Sequence, residues 1–216
     1  MANRHNYNKN EELLFKSIKN LKNYCFDEEE FSFKITSESD LKCFLYSELI
    51  NSKKTMKESN IKLINEKSNK QSNKKVKSPL IITEYRYFKN NKDKFCDLII
   101  LDPNELTYYY EFIKKSKKNQ IMDMELNEIL NESVCVELKW TWANNKSSTL
   151  QKIKTDLNKL NQKEIKRRYV ILFDQFGNLN EQDVLNITTN KGHKIFYIDN
   201  VNKKIHTYPQ NLKNKL

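Results

Sequence analysis

Apolar residues recur at helical and strand periods in distinct blocks along the chain. In 11–25, EELLFKSIKNLKNYC, the spacing of Leu14, Ile18, Leu21 and Cys25 predicts an amphipathic helix. FSFKI (31–35) alternates with period two, as a short strand would. Ser37-Glu-Ser-Asp40 offers N-cap residues for a helix over 38–51, with Leu41, Phe44, Leu45 and Leu49 as its apolar stripe. Residues 52–78 have few apolar side chains and no aromatic ones, and read as a flexible basic loop. Strand-like runs follow at 79–88, 95–101 and 107–113, then a short helix at 121–130 and a strand at 134–140. Leu150, Ile153, Leu157 and Leu160 mark a helix over 149–162. A strand at 168–176, a helix at 181–190 and a last strand at 194–200 complete the pattern. This order predicts an α/β domain with a mixed β-sheet flanked by helices.

Composition removes several function classes. Only two glycines occur, Gly177 and Gly192, so neither a Walker A loop nor a dinucleotide-binding glycine fingerprint can be built. Three scattered histidines make a His-rich metal site or a Ser/His/Asp triad an unattractive reading. Four cysteines without a CxxC pair fit reduced, mostly buried residues of a cytoplasmic protein. No apolar run is long enough for a membrane span, so no membrane partner is expected.

The net charge of +11 is uneven. Residues 51–78 carry a net +7 and residues 191–216 a net +5, whereas residues 1–50 carry −2. A basic segment and a basic tail raise affinity for phosphate backbones without reading sequence, although solvated lysines would look the same.

Two apolar strands carry charge. FCDLIIL has Asp97, and VCVELKW has Glu137 and Lys139, which share one face of a strand. Charges on core strands need partners or ligands. If the strands are neighbours, Asp97 and Glu137 converge, and two close carboxylates repel. Mg²⁺, with Mn²⁺ as a substitute, would remove that penalty and serve phosphoryl chemistry. Lys139 would orient or help deprotonate a water, or offset phosphate charge. The plainer alternative is a cross-strand ion pair between Asp97 and Lys139 at an exposed sheet edge.

Asp97, then Glu137-Leu138-Lys139 after a gap of 40 residues, within an α-β-β-β-α-β order, resembles the PD-(D/E)XK nuclease superfamily. The resemblance spans roughly residues 38–200 and implies a restriction-endonuclease-like fold. It implies Asp97 and Glu137 as metal ligands, Lys139 as catalytic lysine and Glu48, on the helix before the meander, as a supporting ligand. Gln151 and Asp156, in the helix after the lysine strand, are further candidates. Glu84 and Arg86 share a face of the ITEYRYF strand and are candidates for a phosphate contact or an ion pair. Cys96 replaces the proline of the family motif, and 103–131 must be a hairpin insertion.

On this reading, residues 1–37 are an N-terminal helical extension, 38–200 the nuclease-like domain and 201–216 a basic C-terminal tail. The implied activity is Mg²⁺-dependent hydrolysis of phosphodiester bonds in nucleic acid, with DNA favoured over RNA. Cutting both strands of a duplex with one site per chain favours a homodimer, and a place in a larger defence, repair or mobile-element complex stays open. The alternatives are a non-catalytic binding module on the same fold and a small-molecule hydrolase with a closed pocket.

Overall fold

A computed structural model describes residues 8–26, 35–52, 56–65, 70–79, 81–89, 92–102, 132–141, 146–160, 166–188 and 194–209. The helices are α1 (Lys9–Phe26), α2 (Glu38–Asn51), α3 (Lys146–Leu160) and α4 (Glu181–Thr188). The strands are β1 (Met56–Asn65), β2 (Lys70–Pro79), β3 (Ile81–Lys89), β4 (Lys92–Ile100), β5 (Val134–Thr141), β6 (Arg167–Asp174), β7 (Lys194–Asp199) and β8 (Lys204–Tyr208).

Strands β3 to β8 form one six-stranded sheet in sequence order. β3, β4 and β5 pair antiparallel, as a meander. β5, β6 and β7 run parallel, and β8 returns antiparallel to β7. Parallel neighbours cannot be joined by a tight turn, and α3 and α4 supply the two crossovers. The class is therefore α/β with a mixed sheet, as the periodicities predict.

The two sheet faces carry separate cores. Leu14, Phe15, Ile18 and Leu21 of α1 and Leu41, Leu45 and Leu49 of α2 pack on one face, against Leu98, Val136, Leu138, Tyr169, Ile171 and Phe196. Ile153 and Leu157 of α3 and Val184 and Ile187 of α4 cover the other, against Ile99, Cys135, Val170, Leu172 and Tyr197. The continuous apolar runs of β5, β6 and β7 follow from this, because each strand is covered on both faces.

Helix starts follow their caps. Ser37 accepts from the Asp40 amide at 3.1 Å, as the sequence suggests for α2. Asn8 and Glu11 exchange bonds at the start of α1: the Glu11 amide donates to Asn8 Oδ1 (2.9 Å) and the Asn8 amide to Glu11 Oε2 (3.1 Å). This is a reciprocal capping box.

Three expected boundaries change. The N-terminal stretch is not an extension: Leu14, Ile18 and Leu21 of α1 are fully buried, and Phe15 meets the rings of Tyr169 and Phe196 edge-on at 5.8 and 5.7 Å. The basic segment 52–78 is not a loop, because β1 and β2 pair antiparallel along ten residues each. A ladder needs only backbone N–H and C=O groups, so a polar composition does not bar it. The tail does not begin at 201, since β8 completes the sheet. Asp199 accepts from the amide and the side chain of Asn202 (2.9 and 2.7 Å), and this turn brings the chain back.

The expected strands at 31–35 and 107–113, the helix at 121–130 and the insertion 103–131 lie wholly or mostly outside the described residues. All four cysteines are free thiols; Cys96 and Cys135 are buried, Cys25 is half-buried and Cys43 is exposed. No helix among the described residues is long and apolar enough to cross a membrane.

Candidate functional site

The site lies where β4 and β5 part. Their pairing covers only Leu98–Val136, Ile99–Cys135 and Ile100–Val134. The next position in this register sets Asp97 opposite Glu137. There the ladder stops: β4 continues beside β3, and β5 continues beside β6. Asp97 Oδ2 instead accepts the Leu138 amide at 2.7 Å, the backbone donor that lies between Glu137 and Lys139. The alternation of β4 also breaks here. Cys96 packs with Ile99 and Leu101 on the α3 face, whereas Leu98 and Ile100 pack towards α1 and α2.

Glu137 is buried, and Lys139 is partly so. By strand alternation both follow Cys135 towards the α3 layer. Lys139 Nζ lies 3.2 Å from Asp156 of α3 and 3.4 Å from Glu38 of α2. It thus bridges groups from the two helical layers across the opening in the sheet. Burial works against its charge, but Asp156, Glu38 and Asp97 outweigh that, and its pKa rises above the ordinary 10.5. Lys139 is therefore a fixed cation at neutral pH and not a resting base.

Helix α2 contributes a second pair. Lys42 Nζ is 3.6 Å from Asp97 Oδ1. Glu38 and Lys42 are four residues apart and share a helix face. The Ser37 cap fixes where this helix starts and so which side chains meet the sheet opening. Neither Glu38 nor Lys42 was singled out from sequence as a site residue. The available signal was their place in line with the apolar stripe: Glu38 stands three and seven residues before Leu41 and Leu45, and Lys42 three and seven before Leu45 and Leu49.

The remaining candidates divide. Asp156 is brought to Lys139. Gln151 is exposed on α3, five residues from Asp156 and so roughly 140° round the helix. Glu48 Oε2 accepts from Asn20 Nδ2 at 2.5 Å and lines a cleft of about 190 Å³ between α1 and α2, with Lys16, Ser17 and Asn51. It stands six residues beyond Lys42, roughly 9 Å along the axis and on another face. The structure thus pairs Glu48 with α1, whereas Glu38 of the same helix reaches Lys139. Glu84 stands opposite Asp97 on the β3 side, between the pairs Thr83–Leu98 and Tyr85–Cys96, and Arg86 is opposite Phe95. The side chains of Glu84 and Arg86 lie outside the described residues. Trp140, next after Lys139 on β5, packs against the core on the α1 and α2 face.

Asp174 belongs elsewhere. It is buried and accepts from Thr141 Oγ1 (2.8 Å), the Leu179 amide (2.8 Å) and Tyr197 Oη (3.1 Å), which is a structural knot after β6.

Another charged cluster sits at the opposite end of the parallel strands. Glu11 is fully buried. It takes Arg167 Nη1 at 2.5 Å, Lys194 Nζ at 2.8 Å and Tyr169 Oη at 2.5 Å. Arg167 also reaches Glu132 at 3.0 Å. Arg167 is thus committed to ion pairs with Glu11 and Glu132.

Among the described residues no three His, Cys, Asp or Glu side chains group to enclose a metal ion. Asp97 and Glu137 offer two hard oxygen donors, the set Mg²⁺ uses when waters and a substrate phosphate complete its octahedron. The donor chemistry fits that ion; Asp97 Oδ1 now faces an ammonium. No family model, curated protein or solved structure matches this chain.

Proposed function

We propose that the protein is a metal-dependent nuclease that hydrolyses phosphodiester bonds, DNA before RNA, on a restriction-endonuclease-like fold. One observation carries the reading. The sheet opens where Asp97 faces Glu137 in register, with the Asp97 carboxylate on the amide between Glu137 and Lys139. An ion pair at a sheet edge, the plainer reading of these residues, does not account for the position. β5 is an interior strand, and Lys139 pairs with Asp156 and Glu38 rather than with Asp97.

In this reading Asp97 and Glu137 hold Mg²⁺, which would supply charge stabilisation to the phosphoryl transfer and lower the pKa of a bound water. Leu138 fixes one oxygen of Asp97, which orients the other. Lys139, kept protonated by its acidic neighbours, offsets phosphate charge in the transition state. Asp156 and Glu38 position that ammonium. The β1–β2 ribbon carries Lys57, Lys62, Lys70, Lys74, Lys75 and Lys77 against the single acid Glu58, a distribution suited to a phosphate backbone. A two-stranded ribbon also fits the major groove of B-DNA.

The second reading, a non-catalytic nucleic-acid-binding module, has one observation in its favour. Both Asp97 and Lys139 already have partners of opposite charge from α2. Purified protein incubated with plasmid, single-stranded DNA and RNA decides between the readings, with Mg²⁺, Mn²⁺ or EDTA. The nuclease requires cutting that depends on metal and is lost in Asp97→Ala and Lys139→Ala. Salt-sensitive binding without cutting, unchanged in both variants, selects the binding module.

A further inference from the structure

The resting site is balanced by α2 in a crossed fashion. The acid of its Glu38–Lys42 pair holds the site lysine, Lys139, at 3.4 Å. The base of the pair faces the site acid, Asp97, at 3.6 Å. Both residues of the Lys42–Asp97 contact are mostly shielded, with side chains 20% and 15% exposed. An ammonium so placed lowers the negative potential that would attract a second cation to Asp97. Oδ2 of Asp97 is tied to the Leu138 amide, so Oδ1 is the oxygen left to face an incoming ion, and Lys42 stands before it.

The geometry points to Lys42 as a built-in stand-in for the divalent cation, which holds Asp97 in the resting site and transfers to a substrate phosphate oxygen when the cation takes the carboxylate. The inference rests on the nuclease reading and adds to it a residue that couples cation entry to substrate binding. The lysine side chain is a flexible four-carbon stem with a compact charge, so it can leave Asp97 without any movement of α2. A displaced ammonium next to a carboxylate-bound cation is repelled by that cation. An anionic phosphate is then its best available partner. Cation and nucleic acid should accordingly bind with mutual reinforcement, each one weaker when the other is absent.

Direct Mn²⁺ titration by calorimetry tests this on the full chain, with wild type, Lys42→Met, Lys42→Gln and Asp97→Asn, each first checked by thermal melting. The expected result is Mn²⁺ binding by wild type, about tenfold tighter binding in Lys42→Met through loss of the competing charge, and no binding in Asp97→Asn. A short DNA duplex titrated in Ca²⁺ should bind more weakly to Lys42→Met than to wild type. Lys42→Gln serves the same comparison if the methionine variant does not fold. Equal or weaker Mn²⁺ binding in both Lys42 variants, with Asp97→Asn still abolishing it, overturns the stand-in and leaves the metal site intact. Absence of Mn²⁺ binding in wild type and Lys42 variants alike overturns the metal site and the stand-in together.

Discussion

The Glu11 cluster and the Asp97–Glu137–Lys139 cluster lie three to five residues apart along the strand direction, roughly 10–16 Å, and are built differently. Glu11 brings one buried carboxylate to two cations and a phenol, and it closes the capping box of α1 with the same side chain. Its contacts are short and it is fully shielded. At the other cluster the ion pairs are longer, at 3.2 to 3.6 Å, and they meet at a break in the sheet. Short, shielded contacts around one carboxylate describe a fastener. Longer contacts around a gap leave charges that can exchange partners, which the proposed chemistry on a phosphate would require.

The largest expected effect lies at the fastener. Glu11→Ala leaves Arg167 and Lys194 beside a buried void and should destabilise the protein by about 3–5 kcal/mol in urea denaturation. A loss below about 1 kcal/mol would remove the contrast between the clusters.

Next in size is the separation of activity from stability. Asp97→Asn and Lys139→Met should lower the cleavage rate by about 10²–10³-fold. The same variants should cost less stability than Glu11→Ala, because their ion pairs are longer than those of Glu11 and Glu38 keeps 39% of its side chain exposed. Variants that unfold the protein as Glu11→Ala does would place both clusters among the fasteners.

Titration sharpens the comparison, since the two ends respond with opposite sign. Burial alone would raise the Glu11 pKa, but the bonds from Lys194 and Tyr169 reverse this and hold it below 4.5. The unfolded chain therefore takes up a proton at higher pH than the folded one. The stabilisation is complete above 4.5 and disappears as pH falls through the folded value. The stability gap between wild type and Glu11→Gln should narrow in acid. For Lys139 the folded pKa is raised above 10.5, so its stabilisation is present below that value and is lost as pH climbs through the folded pKa. The gap between wild type and Lys139→Met should narrow in alkali. Denaturation series at acid, neutral and alkaline pH check both directions.

What the sequence makes legible follows from the range of the signal. Period and capping are local, so α2 and the covered strands β5, β6 and β7 can be read close to their ends. Asp97, Glu137 and Lys139 stand out because charge on an apolar strand is conspicuous without any knowledge of the fold. Glu11 gives no such signal. It lies in a polar helix start, and Arg167 and Lys194, its partners, are more than 150 positions away. The β1–β2 ribbon is hidden for another reason: its pairing is written in the backbone, which a polar sequence does not advertise. α1 looks like an extension only because nothing in its own periodicity says which sheet face it covers.

Glu48 supplies the smallest effect and the finest test of the site's geometry. A carboxylate near the end of the helix before the meander is where the family resemblance expects a supporting ligand. In the structure that carboxylate accepts from Asn20 and lines the cleft between α1 and α2. Helix geometry separates it from Lys42 by roughly 9 Å along the axis. Glu38, at the capped start of the same helix, meets Lys139 instead. Glu48→Gln keeps size and can still accept from Asn20, so cleavage should change by less than about threefold, the range of an ordinary surface substitution. Glu38→Gln removes a charge that positions Lys139 and should lower the cleavage rate by about tenfold, with substrate KM little changed. Parallel rate measurements on the two variants read the comparison directly. A large loss in Glu48→Gln with a small one in Glu38→Gln would mean that α2 turns its other end to the working site.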